Sequence, residues 1–189
     1  ERYGAKEFLV LTLTPKEKII SENTINNILS LKYKIQSLEW VHNTITILDI
    51  PLLNSSDEPL MERIKNFKTL KDENIDKERG FKEILNSPVF RNFVVSEDSK
   101  TTGIIVNIKQ KQKPQFSAFN NKQEIEIYKD NLKKERHQNI TEIREIIKSF
   151  EDIGKIHLGG IPMIADDMMT FIKSDIIVFG LGVFLFIIL

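Results

Sequence analysis

The last 14 residues of the chain, 176–189, contain no charged side chain, and this apolar run limits what the chain can fold into. As an α-helix the run would be about 21 Å long, at about 1.5 Å per residue. A helix needs about 20 apolar residues to cross a bilayer, so the run is too short to cross and too apolar for an ordinary surface helix. We expect it to be the start of a transmembrane helix that is cut short, with the preceding residues forming a domain beside a membrane.

The composition excludes several classes of site. Lys and Arg together number 27, as do Asp and Glu, so no net charge attracts nucleic acid and we predict no nucleic-acid partner. The absence of cysteine excludes disulfides, thiolate metal sites and cysteine nucleophiles, although it does not fix the compartment. The N-terminal residues do not form a signal peptide, and both ends of the sequence are expected to be cuts.

The first third of the chain alternates between strand and helix patterns. Residues 8–14 are apolar and β-branched and predict a buried strand that ends before Pro15. Ser21 is a suitable N-cap for a helix whose apolar side chains recur every three or four residues from Ile25 to Ile35. Residues 38–50 return to β-type side chains and predict a second strand.

The middle of the chain differs in composition. Residues 54–90 are rich in Lys, Glu, Asp and Asn and predict a solvated helical insertion, with helices near 59–70 and 76–85. Residues 93–95 and 102–109 predict two paired strands on either side of a polar turn. A loop over 111–123 then leads to a long helix over 124–150, which precedes a last strand at 155–158.

Without the insertion, the order of elements is β-α-β, β, α-β, the split β-α-β or ferredoxin-like arrangement. We therefore predict an α+β fold in which residues 1–53 and 91–160 form a ferredoxin-like domain, with two helices on one face of its sheet. Residues 161–175 are expected to form a connecting helix. Because this fold hosts many functions, it indicates none of them.

Patterns typical of catalysis or metal binding are scarce. The three histidines share no common spacing and form no HExxH motif: His42, His137 and His157. Gly159 and Gly160 precede Pro162 rather than a phosphate-binding helix, which does not fit a nucleotide site. We therefore predict no catalytic residue, no metal and no cofactor, and we do not predict an enzyme.

Asp166 and Asp167 are the pair that most suggests a site. Adjacent helical residues point about 100° apart, so these two carboxylates would not easily share a ligand. Both are expected in the first turn of a helix that opens after Pro162, where the helix dipole favours carboxylates. The sequence leaves open whether they only stabilise this helix or also couple domain motion to the membrane helix. Metal binding has the least support.

Residues 161–175 predict an amphipathic helix. Ile164, Met168 and Phe171 lie on one side, and the two aspartates on the other. This helix would either pack on its own domain or lie at the level of the lipid headgroups. In both arrangements it would link the domain mechanically to the apolar run. The charged residues around it are net acidic, which weakly favours the extracytoplasmic side of the membrane.

Several segments resemble the first extracytoplasmic domain of exporters in the resistance–nodulation–cell-division superfamily, especially its MMPL-type, hydrophobe/amphiphile branch, which is related to Patched and sterol-sensing proteins. These segments are HLGGIPMIADDMMTFIKSDIIVFG, FVVSEDSKTTGIIVNI, LNSPVFRNFVVSEDSKTT and ILDIPLL. Residues 159–175 carry the most specific part of the resemblance, because glycine, proline and twin aspartate occur together just before an apolar helix. Residues 54–90 are the least family-like.

The resemblance implies a porter-type domain of a proton-driven exporter in the bacterial inner membrane, lying on the periplasmic side. Its expected partners are the membrane, the rest of the transporter chain and a lipid or other hydrophobic or amphiphilic molecule, and it allows a homo-oligomer. The proton-carrying residues of the family lie in later membrane helices, and no residue here indicates the substrate. The residues expected to couple the domain to the membrane helix are Gly159, Gly160, Pro162, Asp166, Asp167 and Asp175.

A second hypothesis belongs to a different class. The chain could be a membrane-anchored extracytoplasmic binding or assembly module that has no transport cycle. The sequence beyond residue 189 would discriminate between the two. Five more membrane helices and a second copy of the domain would indicate a transporter, whereas a lone anchor would indicate a module.

Overall fold

The computed structural model of the chain describes residues 7–55, 59–110 and 121–188. This part is a mixed α+β structure, with a four-stranded antiparallel sheet and a C-terminal apolar helix. Short 3-10 helices occupy Ile47–Asp49 and Glu151–Ile153. The main elements are β1 (Phe8–Pro15), α1 (Glu22–Gln36), β2 (Val41–Ile45), α2 (Leu60–Lys65), α3 (Lys77–Asn86), β3 (Thr102–Ile108), α4 (Lys122–Ser149), β4 (Gly154–Gly159) and α5 (Ile161–Ile188).

The strands lie in the order β2-β3-β1-β4, and every neighbouring pair is antiparallel. The first strand, β1, is therefore interior, with Leu11 opposite Ile104 of β3 on one side and Leu158 of β4 on the other. Helix α1 connects β1 to β2, and α4 connects β3 to β4. The α+β class predicted from the sequence is confirmed.

The core lies between one face of the sheet and two helices. Alternate side chains of β1 point to this face, and its three leucines are fully buried there: Leu9, Leu11 and Leu13. Leu31 and Ile35 of α1 and Ile140 and Ile143 of α4 pack in the same cluster as Leu9 and Leu11. The two predicted helices thus cover one face of the sheet.

The predicted start of α1 is confirmed. Ser21 has an extended backbone, and its Oγ accepts a hydrogen bond of 3.2 Å from the backbone N–H of Thr24. This bond satisfies one of the donors that the first turn of a helix leaves unpaired. The predicted helix over 124–150 and the predicted last strand also match α4 and β4 closely.

The prediction of one strand over 38–50 is wrong in its length. Strand β2 covers only Val41–Ile45, and a 3-10 helix follows at Ile47–Asp49. A capping box ends the strand: the Thr46 Oγ1 accepts from the backbone N–H of Leu48, and the Asp49 carboxylate accepts from the backbone N–H of Thr46. The apolar side chains in this stretch continued the β pattern, but the local polar contacts turn the backbone.

The strand predicted at 93–95 is absent. Val95 forms only isolated bridges, with Arg91 and with Thr102, while the Gly103 N–H donates to the Val94 carbonyl over 2.9 Å. Asn92 has a left-handed backbone with φ of 63°, which breaks the extended chain just before this stretch. Val94 and Val95 are nevertheless buried, so the apolar pattern in this stretch indicates burial and not a strand.

Residues 54–90, predicted as a solvated helical insertion, also contribute to the core. Leu70, Phe81 and Ile84 are buried in the same cluster as Leu13 and Ile28. The segment does contain helices α2 and α3, although α2 is shorter than predicted. Besides its many charged residues, the segment has a small apolar side that extends the main core. The loop predicted over 111–123 lies almost entirely outside the described residues.

Candidate functional site

The chain passes from β4 into α5 through a glycine that no other residue could replace without strain. Gly160 has φ of +124°, and a Cβ atom placed on it would lie 2.9 Å from the carbonyl oxygen of Phe8 and 3.2 Å from the Cα of Leu9. A Cβ on the neighbouring Gly159 would lie 3.7 Å from the Val10 carbonyl oxygen, an ordinary contact. Of the two predicted junction glycines, only Gly160 is required by the backbone.

Asp166 is the one buried carboxylate on α5. Its side chain is 6% exposed, and both carboxylate oxygens lie 3.1 Å from Nδ1 of His137 on α4. The imidazole itself is 60% exposed. Burying a carboxylate is costly unless a polar partner faces it, and the His137 ring is that partner here.

Asp167 makes a second contact between α5 and α4. Nη2 of Arg144 lies 2.7 Å and 3.0 Å from the two oxygens of Asp167. This pair is more open than the first, with the Asp167 side chain 32% exposed and that of Arg144 46% exposed. An ion pair at this exposure contributes little stability by itself, about 0–1 kcal/mol.

Helix α5 contacts α4 near its start, where Asp166 lies beside His137 and Asp167 beside Arg144. Charges on both helices also act on Asp130 of α4. The Lys133 ammonium, by hydrogen bond and charge, is the main cause that lowers the pKa of Asp130, with smaller contributions from Lys134 and Lys173.

The aspartates do not lie where the sequence analysis expected them. The helix begins at Ile161, so Asp166 and Asp167 fall in the second turn, and the first turn contains no acidic residue. The effect of the helix dipole fades beyond the first turn, so it does not account for them. The two carboxylates do point to different partners, as the 100° step between adjacent residues predicted.

The partners of these aspartates were missed. His137 and Arg144 lie 29 and 23 residues before Asp166 and Asp167, and no local rule pairs residues so far apart. One signal was present: His137 and Arg144 are seven residues apart, which places them on the same side of a helix two turns apart. The side of α4 that carries His137 and Arg144 could have been matched to the acidic side of α5.

The amphipathic part of α5 packs on the domain with its largest apolar side chains facing outward. Pro162 and Asp166 are its buried residues. Its large apolar side chains point away from the domain and are 81%, 53%, 58%, 67% and 49% exposed: Ile161, Ile164, Met168, Phe171 and Ile172, respectively. The side of α5 that faces the domain therefore carries both apolar and acidic residues, with Met163 packed against the core, while the larger apolar side chains stay open.

Beyond Met169 every described residue of α5 is exposed. Helix α5 has 28 residues and is the one helix of the described chain that is long and apolar enough to cross a membrane, with a mean hydropathy of 2.3 in its most apolar window. Connecting helix and apolar run form one continuous element. Asp175 lies on the exposed part, and none of the ion pairs within the described residues includes it.

No substrate-binding residue can be assigned from the described surface. A groove of about 330 Å³ lies between the C-terminal ends of α1 and α4, and polar residues such as Lys34, Glu142 and Glu145 make up most of its lining. Within residues 7–55, 59–110 and 121–188, no three His, Asp or Glu side chains are grouped as a metal site would require. His42 and His157 lie on β2 and β4, whereas His137 lies on α4.

Neither the comparison with protein-family models nor the comparison with curated proteins found a match for this chain. The resemblance to the resistance–nodulation–cell-division superfamily therefore stays a prediction from the sequence.

Proposed function

We propose that this chain is the periplasmic domain of a proton-driven exporter of lipids or other hydrophobic or amphiphilic molecules, in which α5 carries motion between the domain and the membrane. The observation that carries the proposal is the continuity of α5 from Ile161 to Ile188 together with its attachment to α4 through Asp166 and Asp167. A helix attached at one end and apolar at the other is suited to such a linkage.

The arrangement of the sheet supports the finer prediction of a ferredoxin-like, porter-type domain. The order β2-β3-β1-β4, with α1 and α4 as crossovers on one face, is the order expected of a split β-α-β fold. This support concerns architecture only, because the same fold hosts many functions. The specific part of the proposal rests on the junction.

The length of α5 supports a lever. At about 1.5 Å per residue, its 28 residues extend about 42 Å, of which the first two and a half turns lie against the domain. A displacement of α4 would move the attached part of α5, and a continuous helix would transmit that displacement to its apolar end. A flexible linker of the same length would not transmit this displacement.

The test is transport by the full-length protein in proteoliposomes that carry an imposed pH gradient, with a fluorescent amphiphile as substrate. Asp166→Asn combined with Asp167→Asn should lower transport roughly tenfold, as expected for the loss of about 1.4 kcal/mol of coupling. Circular dichroism of the same variant should show an intact domain. Asp152→Asn, an exposed change outside the junction, is the matched control and should transport normally.

A charge exchange separates coupling from simple loss of charge. Arg144→Asp should impair transport, and adding Asp167→Arg should restore part of it by re-forming the pair in the opposite sense. A folded double Asn variant with unchanged transport would refute the lever. The alternative function, an anchored binding or assembly module, would be favoured if the complete gene encoded a single membrane helix.

The proposed location is the bacterial inner membrane, with the domain in the periplasm. The expected partners are the membrane, the rest of the transporter chain and an amphiphilic substrate. A cysteine introduced at exposed Glu17 should react with a membrane-impermeant maleimide added to intact spheroplasts. Protection of that cysteine until the cells are lysed would place the domain in the cytoplasm instead.

A further inference from the structure

The contact between Asp166 and His137 joins an enclosed carboxylate to an open titratable ring. The Asp166 side chain is 6% exposed and the His137 side chain 60% exposed, with Nδ1 at 3.1 Å from both carboxylate oxygens. Among the described residues, the hydrogen bonds to this carboxylate all come from His137. Protons from solvent can therefore reach the ring while the carboxylate that depends on it stays buried.

The protonation of the ring decides how well it serves the carboxylate. A protonated imidazole is a cation with a proton on both nitrogens, so its Nδ1 always donates to Asp166. A neutral imidazole carries no charge and one N–H, and in one of its two tautomers Nδ1 is an acceptor that would face two other acceptors. A buried carboxylate that loses its cation is left as uncompensated charge, which is costly.

This difference falls within a mild range of pH. Histidine is the side chain that ordinarily changes its charge between about pH 5 and 8. We expect the ion pair of His137 with Asp166 to be present at the acidic end of that range and lost towards its alkaline end. Because Asp166 is buried only while α5 lies on the domain, the docking of α5 should weaken as the ion pair is lost.

The other charged groups near this contact do not respond in the same range. Lysine, arginine and aspartate ordinarily keep their charge between about pH 5 and 8. The pair of Arg144 with Asp167, beside the contact, therefore holds α5 across the whole range. The neighbouring charged residues of α4 and α5 are Asp130, Lys133, Lys134, Arg144, Asp167 and Lys173.

The strands under α5 add no second histidine to the contact. Helix α5 packs on β1, which has no titratable side chain, and on β4. In β4, Ile156 and Leu158 pack in the core under the helices, so the alternating His157 projects from the opposite face of the sheet. His42 lies on β2, at the far edge of the sheet. Within the described residues, His137 is thus the histidine that faces Asp166.

We propose that the contact is a pH-sensitive switch: protonated His137 holds the start of α5 on α4 through Asp166, and neutral His137 loosens this hold while Arg144 keeps the helix attached. The contact is independent of what the chain does, but its consequence rests on the proposed function. In an exporter, α5 would follow the domain more closely when the solution on the domain side is acidic.

The test measures the distance between α4 and α5 at different pH. The chain has no native cysteine, so Lys148→Cys on α4 and Thr170→Cys on α5, both exposed, can carry a pair of spin labels. Double electron–electron resonance on the 189-residue chain in detergent micelles should give one narrow distance distribution at about pH 5.5. At about pH 8 a second, broader population should appear, with its ratio to the first raised roughly tenfold, as expected for the loss of one charged hydrogen bond.

Three variants assign the response to the ring. His137→Gln is neutral at every pH and should give a distribution that does not change with pH and resembles that of the parent at about pH 8. His137→Arg is always charged and should resemble the parent at about pH 5.5. His157→Gln removes an exposed histidine outside the contact and should keep the pH profile of the parent. Circular dichroism of each variant checks that the domain is folded.

A distance distribution of the parent that does not change between about pH 5.5 and 8 would overturn the proposal. A full pH response in His137→Gln, or its loss in His157→Gln, would overturn it as well, because another group would then be the sensor. The proposed function fails by a different measurement. If the distances follow pH as expected while Asp166→Asn with Asp167→Asn leaves transport unchanged, the switch is supported and the exporter lever is not.

Discussion

Asp49 joins three parts of the chain through one carboxylate. Its Oδ1 accepts from Lys32 Nζ on α1 over 2.6 Å and from Lys71 Nζ over 3.1 Å, while its Oδ2 accepts from the N–H and Oγ1 of Thr46 at 2.9 Å each. Burial acts to raise the pKa of this carboxyl, but the hydrogen bonds from Lys32, Thr46 and Lys71 together hold the pKa below its usual range. Residues 54–90 are therefore tied to α1 by charge as well as by apolar contact.

Asp49→Asn should lower the free energy of unfolding by about 1–2 kcal/mol at pH 7. Because the pKa of Asp49 is depressed in the folded state, its contribution is complete above the unfolded value of about 4 and is lost as the pH falls through the folded value. The gap between wild type and variant should therefore narrow below about pH 4. Urea unfolding in detergent micelles at several pH values measures this difference in the free energy of unfolding.

The control for this experiment is Asp152→Asn, which removes an exposed carboxylate. It should change the unfolding free energy by less than about 0.5 kcal/mol at pH 7. A stability gap for Asp49→Asn that stays constant down to pH 2 would contradict the assignment, because the carboxylate would then contribute equally when protonated.

Single residues of the junction could be recognised in the sequence, but their contacts could not. The succession of Gly160, Pro162, Asp166 and Asp167 identified a helix start beside an apolar run. What Asp166 contacts depends on how α4 is laid over the sheet, and that is fixed by buried side chains such as Ile140 and Ile143. A local pattern holds no information on such a distant arrangement.

For helix α5, the periodicity of apolar residues predicts the helix but not its orientation on the domain. The repeat of apolar residues predicted a helix correctly over 161–175, and the helix indeed continues into the apolar run. Which side faces the domain was not predictable from α5 alone. His137 and Arg144 pair with the two aspartates of α5. Met163 packs against the core beside them, while the larger apolar side chains remain open.

Gly160→Ala should destabilise the domain by about 1–3 kcal/mol, because an L side chain is strained at φ of +124° and would press on the backbone of β1. Gly159→Ala should cost less, since its Cβ would make only an ordinary contact. Thermal unfolding in a mild detergent, followed by circular dichroism, compares the two. Gly180→Ala is the control in open surroundings and should not lower stability. Equal effects of Gly160→Ala and Gly159→Ala would contradict the role given to Gly160.

At the scale of the whole molecule, the stiffness of α5 can be tested apart from its ion pairs. Inserting four alanines after Thr170 in the full-length protein adds about one helical turn, whereas four glycines add the same length with a helix penalty of about 1 kcal/mol per residue. The glycine insertion should reduce transport more than the alanine insertion. Equal transport by the two variants would show that a stiff helix is not needed.

The class of the whole molecule followed from the sequence more readily than its details. The order of strand and helix patterns predicted the α+β sheet with α1 and α4 on one face. Strands predicted from apolar residues are missing near Asn92 and end early at the capping box of Thr46. Single polar residues at these two places turn the backbone although the neighbouring side chains are apolar. Hydrophobic periodicity does not reveal such local effects of polar side chains on the backbone.

The interior position of β1 has a consequence for the order of folding. This strand is synthesised before the other described strands, yet its two neighbours in the sheet are β3 and β4, the last two to be made. During synthesis at about 5–20 residues per second, the backbone N–H and C=O groups of β1 would have no strand to pair with for several seconds. The sheet can close only when β4 has emerged, immediately before α5, so completion of the domain and delivery of its apolar helix would nearly coincide.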